Sequence, residues 1–308
     1  MSTPTRVKPT PSRAEADKPA RKGLQQGTSG FWFVLPFLLF FVAFLVWPVI
    51  YGLYMSFTDQ SLTGASGFAG FSNFAEAFGD AEMWRGLLNT VWFTLLSVVP
   101  LVGVSLVMAL LVNLGLPGQW LWRLSFFFPF LLMVTVVSIM WVWILQPDLG
   151  LVNHLLGGIG IDGPGWLSNE ATAMWSIVMA TVWWTVGFNF LLYLAALQNI
   201  PVHLYEAASI DGAGGWRQLR SITLPLLSRT TGLIIVLTLL ASLKVFDQIY
   251  LMTAGGPAGS TRSVLLYVYD VGFTGYRLGY AAAISYIFFA MIVIIAIAQM
   301  RLFSRREG

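Results

Sequence analysis

The sequence has no cysteine and only two histidines, His154 and His203, among 308 residues. The first absence excludes a disulfide framework and a thiolate metal site. The second leaves too few imidazoles for a histidine-rich one. Charge is also scarce: 10% of the residues are charged, against roughly 25% in a soluble globular domain. The net charge of +3 is small and unevenly placed, so nucleic acid is not an expected partner. None of the four lysines (Lys8, Lys18, Lys22 and Lys244) follows a glycine. The phosphate loop G-x-x-x-x-G-K-[ST] is therefore missing, and the chain cannot be a P-loop ATPase on its own. HExxH, GxSxG and an intramembrane acid pair are also missing, which argues against a membrane-embedded enzyme.

In place of charge there are long apolar runs, and the mean hydropathy is +0.74. A helix needs roughly 20 apolar residues to cross the hydrocarbon core. Six stretches qualify, at about Phe31–Tyr54, Leu88–Val112, Leu124–Leu145, Thr172–Leu197, Thr231–Met252 and Gly279–Met300. A charge-free block runs from Gly86 to Trp122, and the boundary between the second and third is placed within it, at the turn signal LGLPGQ (Leu114 to Gln119). Pro129 is expected to kink the third helix without ending it. The expected fold is an all-α integral membrane protein with six spans over residues 31–308. Residues 1–30, rich in Pro, Lys and Arg, read as a disordered basic tail, and the apolar run after them as an uncleaved anchor.

Orientation follows from the basic residues. With six spans both termini share one side. That side carries Arg6, Lys8, Arg13, Lys18, Arg21, Lys22, Arg123, Arg217, Arg220, Arg229, Arg301, Arg305 and Arg306. The other side holds only Arg85, Lys244, Arg262 and Arg277, against an excess of acids. Both termini are thus expected in the cytoplasm. The long external segments would be about Met55–Leu87, Gln146–Ala171 and Thr253–Arg277.

This topology places YEAASIDGAGGWRQLRSITLP (Tyr205 to Pro225) in the cytoplasm between spans four and five. Pro201 suits a first helical turn, and Leu204, Tyr205 and Ala208 share one helical face. Gly212 fits a helix end. Beyond it Trp216 to Thr223 reads as a second helix, whose continuation Pro225 should limit. A compact helical projection of this kind suits a groove on a soluble partner. Its spacing is Glu206-Ala207-Ala208, three residues, Gly212, nine residues, Ile222, one residue, Leu224-Pro225. That resembles, without departure, the EAA motif of the membrane subunits of binding-protein-dependent ABC importers. The stretches ALQNIPVHLYEAASIDGA, GFSNFAEAF, LLNTVWFT, FDQIYLMTAGGPAGST and LGYAAAISY are similar to the maltose-type carbohydrate permeases, and the likeness covers most of the chain after Phe31.

The resemblance implies a coupling helix within about 200–225 that sits in a cleft of an ATP-binding subunit. It makes Glu206 the charged contact, Gly212 the turn, and Ala207 and Ala208 the small packing surface. Asp211, Arg217, Leu224 and Pro225 complete the candidate set. The implied partners are a second homologous permease, two ATPase subunits that bind ATP and Mg, and an extracytoplasmic sugar-binding protein. No cofactor is expected in this chain itself. The implied location is the inner or cell membrane of a bacterium or archaeon, in contact with lipid.

Candidate substrate-path residues come from polar or aromatic groups out of place in a span. Trp183 and Trp184 lie near the middle of span four, close to Asn189, and a sugar suits an aromatic platform with a few polar partners. Lys244 and Asp247 are three apart on span five, able to pair, and Tyr250 would extend a polar stripe. Ionisable groups in a span usually face a bundle interior or watery cavity. Asn89, at the outer start of span two, is a further candidate. The cargo reads as a carbohydrate, with glycerol phosphate or another polyol as the alternative. A self-sufficient secondary transporter is the rival class, though it would need inverted repeats and an ion site that the sequence does not display.

Overall fold

The computed structural model describes residues 29–61, 63–64, 67–115 and 117–304, and within them the chain is helical with isolated β-bridges only. The basic tail before residue 29 and Arg305 and Arg306 lie outside the described residues. The chain divides into two compact units, Met1–Tyr51 and Gly52–Gly308.

The described part of the first unit is α1 (Ser29–Phe41), a π-helical turn (Val42–Val46) and the start of α2 (Trp47–Ser56). Its apolar side chains are exposed, Phe33 by 88% and Phe44 by 76%. In the π-turn the Trp47 N–H reaches back to Val42 O, and Pro48 follows at once. A proline ring clashes with the carbonyl four residues back in an α-helix. The wider π-turn moves that carbonyl aside, so the helix continues through the proline.

The second unit is a bundle around two long helices, α4 (Ala81–Asn113) and α8 (Glu170–Gln198), which pack along each other. α3 (Ser72–Gly79) precedes α4, and Asp80 caps α4 by accepting from the Glu82 and Met83 backbone N–H groups. Buried hydroxyls on α4 donate to carbonyls one turn back: Thr90 to Gly86, Thr94 to Thr90 and Ser105 to Leu101. This satisfies polar groups where no water is available.

The third predicted span is broken, which corrects the expectation of a kink at Pro129. α5 (Gln119–Phe127) and a short 3₁₀ turn (Phe128–Leu131) end there, and α6 (Val134–Ile144) departs at 98°. Leu132 and Met133 are extended between them. Breaking a helix frees carbonyls, and the Trp184 indole N–H takes one of them, Leu132 O, at 3.1 Å. Next to it Gly187 lets α8 approach the α5 backbone: a Cβ there would lie 2.3 Å from Phe126 O. α7 (Leu151–Gly158) follows α6 and leads toward α8.

After α9 (Val202–Ile210) and α10 (Gly215–Gln218), a second π-turn (Leu219–Thr223) runs into α11 (Leu224–Leu243). Pro225 was expected to limit this helix, and it does not. The Leu224 N–H bonds to Leu219 O, one residue before the proline, as at Pro48. The fifth span ends earlier than predicted, at Leu243 and not at Met252. α11 ends at Leu243, and α12 (Asp247–Met252) starts anew after the distorted Phe246. The Ser263 hydroxyl takes the freed Val245 carbonyl at 3.0 Å. α13 (Val264–Tyr269), a third π-turn (Asp270–Thr274) and α14 (Leu278–Ser304) complete the unit.

Candidate functional site

Two features stand out, and the same two helices carry both. The first is a cavity of about 380 Å³ between the middle of α8, the end of α11 and the chain around α12. Phe93, Phe130, Trp184, Phe188 and Phe246 supply aromatic wall, while Thr181, Thr185, Asn189, Thr238, Ser242 and Gln248 supply hydroxyls and amides. Lys244 and Asp247 add one charge of each sign. Such a mixture suits a ligand with C–H faces and many hydroxyls.

Four predicted substrate-path residues, Trp184, Asn189, Lys244 and Asp247, therefore line one cavity. Their roles differ from the expectation. Lys244 and Asp247 do not share a helix; the break after Leu243 puts one at the end of α11 and the other at the start of α12. Both are exposed and no ion pair joins them. Asn189 is buried and donates to the Thr238 hydroxyl at 3.0 Å. The Trp184 N–H is spent on Leu132 O, so its ring is what remains for a ligand.

The other three lie outside the lining. Trp183 packs edge-on against Trp141 at 5.9 Å between centroids. Tyr250 stacks on Phe246 and meets Tyr269. Asn89 donates to the Gly259 and Arg262 carbonyls, clamping the loop before α13.

Gln248 was missed. Its Nε2 is buried without a partner among the described residues, and its Oε1 lies 3.0 Å from the Thr181 hydroxyl, which also donates to Ile177 O. The signal in the sequence was an uncharged polar residue one turn beyond Lys244 in an apolar run.

The second feature is α9 with the turn after it. Gly212 is left-handed (φ +76°). The Ala213 N–H bonds to Ala208 O at 2.8 Å and the Gly212 N–H to Ser209 O at 3.1 Å. These two bonds form a Schellman cap, which a glycine at this position allows at no steric cost. The Tyr205 and Thr223 hydroxyls meet at 2.9 Å, and Gln218 Nε2 donates to the Ser209 hydroxyl and Ala213 O. α9 is thereby held firmly to the start of the next helix. Leu204, Tyr205 and Ala208 are half-buried, whereas Glu206, Ala207, Asp211, Gly212, Arg217 and Pro225 are exposed. Leu224 is also exposed, and Ile210 and Trp216 extend the outward face.

A polar cluster surrounds the start of α4. Asp80 Oδ2 accepts from the Tyr267 hydroxyl at 2.5 Å and the Tyr280 hydroxyl at 2.6 Å. Arg277 grips Glu76 with two bonds of 2.8 and 2.6 Å and lies 4.4 Å over the Tyr280 ring. Burial pushes the Asp80 carboxyl up, but the two hydroxyls and two backbone N–H groups outweigh it, and the net shift is downward. A carboxyl lowered by folding contributes stability that is present above its ordinary value of 3.8 and lost as the pH falls through the lower folded value. Asp80→Asn is expected to cost about 1 kcal/mol at neutral pH, the charged bonds being discounted for partial exposure. Thermal unfolding in detergent should show a gap between variant and wild type at pH 7 that closes on acidification below 3.8.

Residues 82–307 match the family model described as "Binding-protein-dependent transport system inner membrane component". The chain is 34% identical over 265 residues to the sulfoquinovosyl glycerol transport system permease protein SmoG of Agrobacterium fabrum, covering 85% of this chain and 86% of that one. It is 33% identical to the sn-glycerol-3-phosphate transport system permease protein UgpA of Yersinia pestis bv. Antiqua, covering 94% and 98%. Among solved structures it superposes on a bacterial ABC transporter involved in alginate import with a TM-score of 0.80 at 26% identity. That match covers 90% of this chain and 95% of the other. In a second structure that transporter is in complex with an alginate pentasaccharide-bound periplasmic protein, and the TM-score is 0.79 at 27% identity.

Proposed function

The chain belongs to the family of inner membrane components of binding-protein-dependent transport systems, and from that premise we propose that it is the permease subunit of an ATP-driven carbohydrate importer, coupled to its ATPases through the EAA-like segment. One observation carries the reading. The exposed, capped α9 is part of the connection between α8 and α11, and both of these helices contribute side chains to the cavity. A displacement of α9 would thus be passed through short connections to two helices that line the ligand chamber.

In this reading α9 lies on the cytoplasmic side, with both termini, and seats in a cleft of an ATPase subunit. Glu206 is the charged contact, the Ala207 and Ala208 methyls allow close approach, and Asp211, Gly212, Arg217, Leu224 and Pro225 border the contact. ATP and Mg are bound by two ATPase subunits, whose closure shifts α9 and turns the cavity from one side of the membrane to the other. A second, homologous permease completes the path. A binding protein delivers cargo on the opposite side, a reading supported by the alginate importer seen with its pentasaccharide-bound periplasmic protein.

The cargo is a polyhydroxylated compound, in keeping with the sulfoquinovosyl glycerol and glycerol phosphate named for the relatives. Trp184 offers the stacking ring, and Asn189, Thr185 and Gln248 the hydroxyl partners. Lys244, exposed in the cavity and unpaired with Asp247, favours a second reading in which the cargo carries an anionic group. Lys244→Gln separates the two. It should raise the half-saturating concentration roughly tenfold for an anionic cargo, which loses a charge-assisted hydrogen bond, and change it little for a neutral one.

The reading as a whole is tested by co-expressing the chain with its ATPase, second permease and binding protein, then measuring ATP hydrolysis and sugar uptake in proteoliposomes. Loaded binding protein should stimulate hydrolysis, and uptake should depend on ATP. A chain that co-purifies with no ATPase, or that moves sugar without one, would sink the importer and revive the secondary transporter.

A further inference from the structure

The segment between the broken span and α8 is built inside out. α7 follows a tight turn in which the Gly150 N–H bonds to Gln146 O at 3.0 Å. A Cβ at Gly150 would lie 2.2 Å from that same oxygen, so the turn requires glycine. On the inner face of α7, Asn153 donates to the carbonyls of Pro147 (3.0 Å) and Pro164 (3.3 Å) and accepts from the Trp166 indole at 2.7 Å. Val152 packs against the core around Phe93, Leu145 and Ile177. The Asn153 side chain of α7 thus points inward and is fully used as a fastener, while its neighbour His154 is exposed.

What α7 holds outward is mainly aliphatic, with His154 beside it. Leu151, Leu155 and Ile159 follow one another at the four-residue spacing of a single face, with Leu149 and Ile161 on either side. These five are between 50% and 85% exposed. Water would select the opposite arrangement, with leucine in and asparagine out. Because three hydrogen bonds and a glycine turn fix the segment, the apolar face is a built surface.

We propose that residues 147–162 form an interfacial membrane element whose aliphatic face enters the acyl-chain boundary of the bilayer, with Asp148 and Asp162 at the water edge. Continuity with the exposed side of the broken span identifies lipid as the occupant. α6 packs against α7 and carries an exposed apolar side of Met133, Val136, Ile139 and Trp143 that belongs to the same broken span. The leucines of α7 extend that side past Trp143, a residue type suited to the headgroup level. The composition agrees, because protein partners favour Trp, Tyr and Arg anchors, and the large apolar side chains of this face are Leu and Ile, with the exposed His154 beside them. There is also no Lys or Arg between Arg123 and Arg217. Attraction to anionic headgroups therefore contributes nothing, and insertion rests on apolar area.

This inference rests on the importer reading only in that the chain spans a bilayer. The absence of cysteine makes the test direct. Leu155→Cys, Ile159→Cys and, as the water-edge reference, Asp162→Cys are each spin-labelled in the assembled importer in phosphatidylcholine nanodiscs. Relaxation by oxygen, which partitions into lipid, is compared with relaxation by a water-soluble nickel chelate. At Leu155 and Ile159 oxygen should exceed nickel severalfold, with the order reversed at Asp162, and added anionic lipid should leave the ratios unchanged. Nickel dominance at Leu155 and Ile159 overturns the proposal. Labels shielded from both reagents overturn it too, because a protein surface then covers the face, and a ratio that rises with anionic lipid removes the purely apolar mechanism. Accessibility is read without transport, so a complex that fails to move sugar leaves this result standing.

Discussion

Gly187→Ala is expected to abolish uptake and to lower stability by about 3 kcal/mol, while Gly103→Ala leaves both nearly unchanged. The new Cβ at position 187 would lie 2.3 Å from Phe126 O, 2.9 Å from Phe127 Cα and 3.1 Å from Phe126 C. All three are backbone atoms, so no side-chain rotation relieves the clash and the end of α5 must move off α8. That movement strains several contacts together. Phe126 sits edge-on to Phe190 at 5.5 Å, Phe130 stacks on Phe188 at 5.3 Å, and the Trp184 N–H holds Leu132 O. Overpacking alone costs about 1–3 kcal/mol, and each aromatic pair adds roughly 0.5–1.5 kcal/mol. Phe130, Trp184 and Phe188 also line the cavity, so the same displacement deforms the ligand chamber. Gly103, on α4, has nothing within 4 Å of its would-be Cβ. It controls for the change of residue type. Thermal unfolding and uptake of both variants decide the matter, and a Gly187→Ala protein with wild-type behaviour in both would show that α5 has room the geometry denies it.

The contrast between these glycines bears on what could be read from the sequence. Length and charge sufficed for the long spans, because a charge-free run of that size has no soluble alternative. α9 was legible because its signals are local: Pro201 stands before its first turn and Gly212 closes its Schellman cap. The two breaks were not legible. Within FFFPFLLM only Pro129 hints at one, and SLKVFDQ contains neither glycine nor proline. Each break is held from a distance, by Trp184 on Leu132 O across 52 residues and by Ser263 on Val245 O across 18. A pattern within a window cannot register such partners. The polar residues were noticed for a sound reason, that a buried amide needs a partner. The sequence did not reveal which partner, and so Asn89 turned out to clamp a loop while Gln248 went unnoticed.

The largest functional effect is expected at Glu206, where alanine should uncouple the importer without unfolding it. Glu206 is exposed on α9 and no ion pair among the described residues holds its carboxylate. Its removal therefore leaves the Tyr205–Thr223 contact and the cap at Gly212 intact. Alanine is also the better helix former. The unfolding temperature should stay at the wild-type value. Across an interface the outcome differs, since losing one partner of a desolvated charge pair costs about 2–5 kcal/mol. A loss of roughly 3 kcal/mol would lower ATPase binding more than a hundredfold. Co-purification with the ATPase should fall accordingly, and stimulation by loaded binding protein should vanish in whatever complex survives. Glu206→Gln keeps the length and an acceptor oxygen but not the charge, so it should recover part of the assembly. Full assembly, stimulation and uptake in Glu206→Ala would mean that Glu206 is not the coupling contact. The exposed Ile210 and Trp216 would then be the next positions to replace. Low unfolding temperature together with poor assembly would point instead to a structural role that the exposed position of Glu206 contradicts.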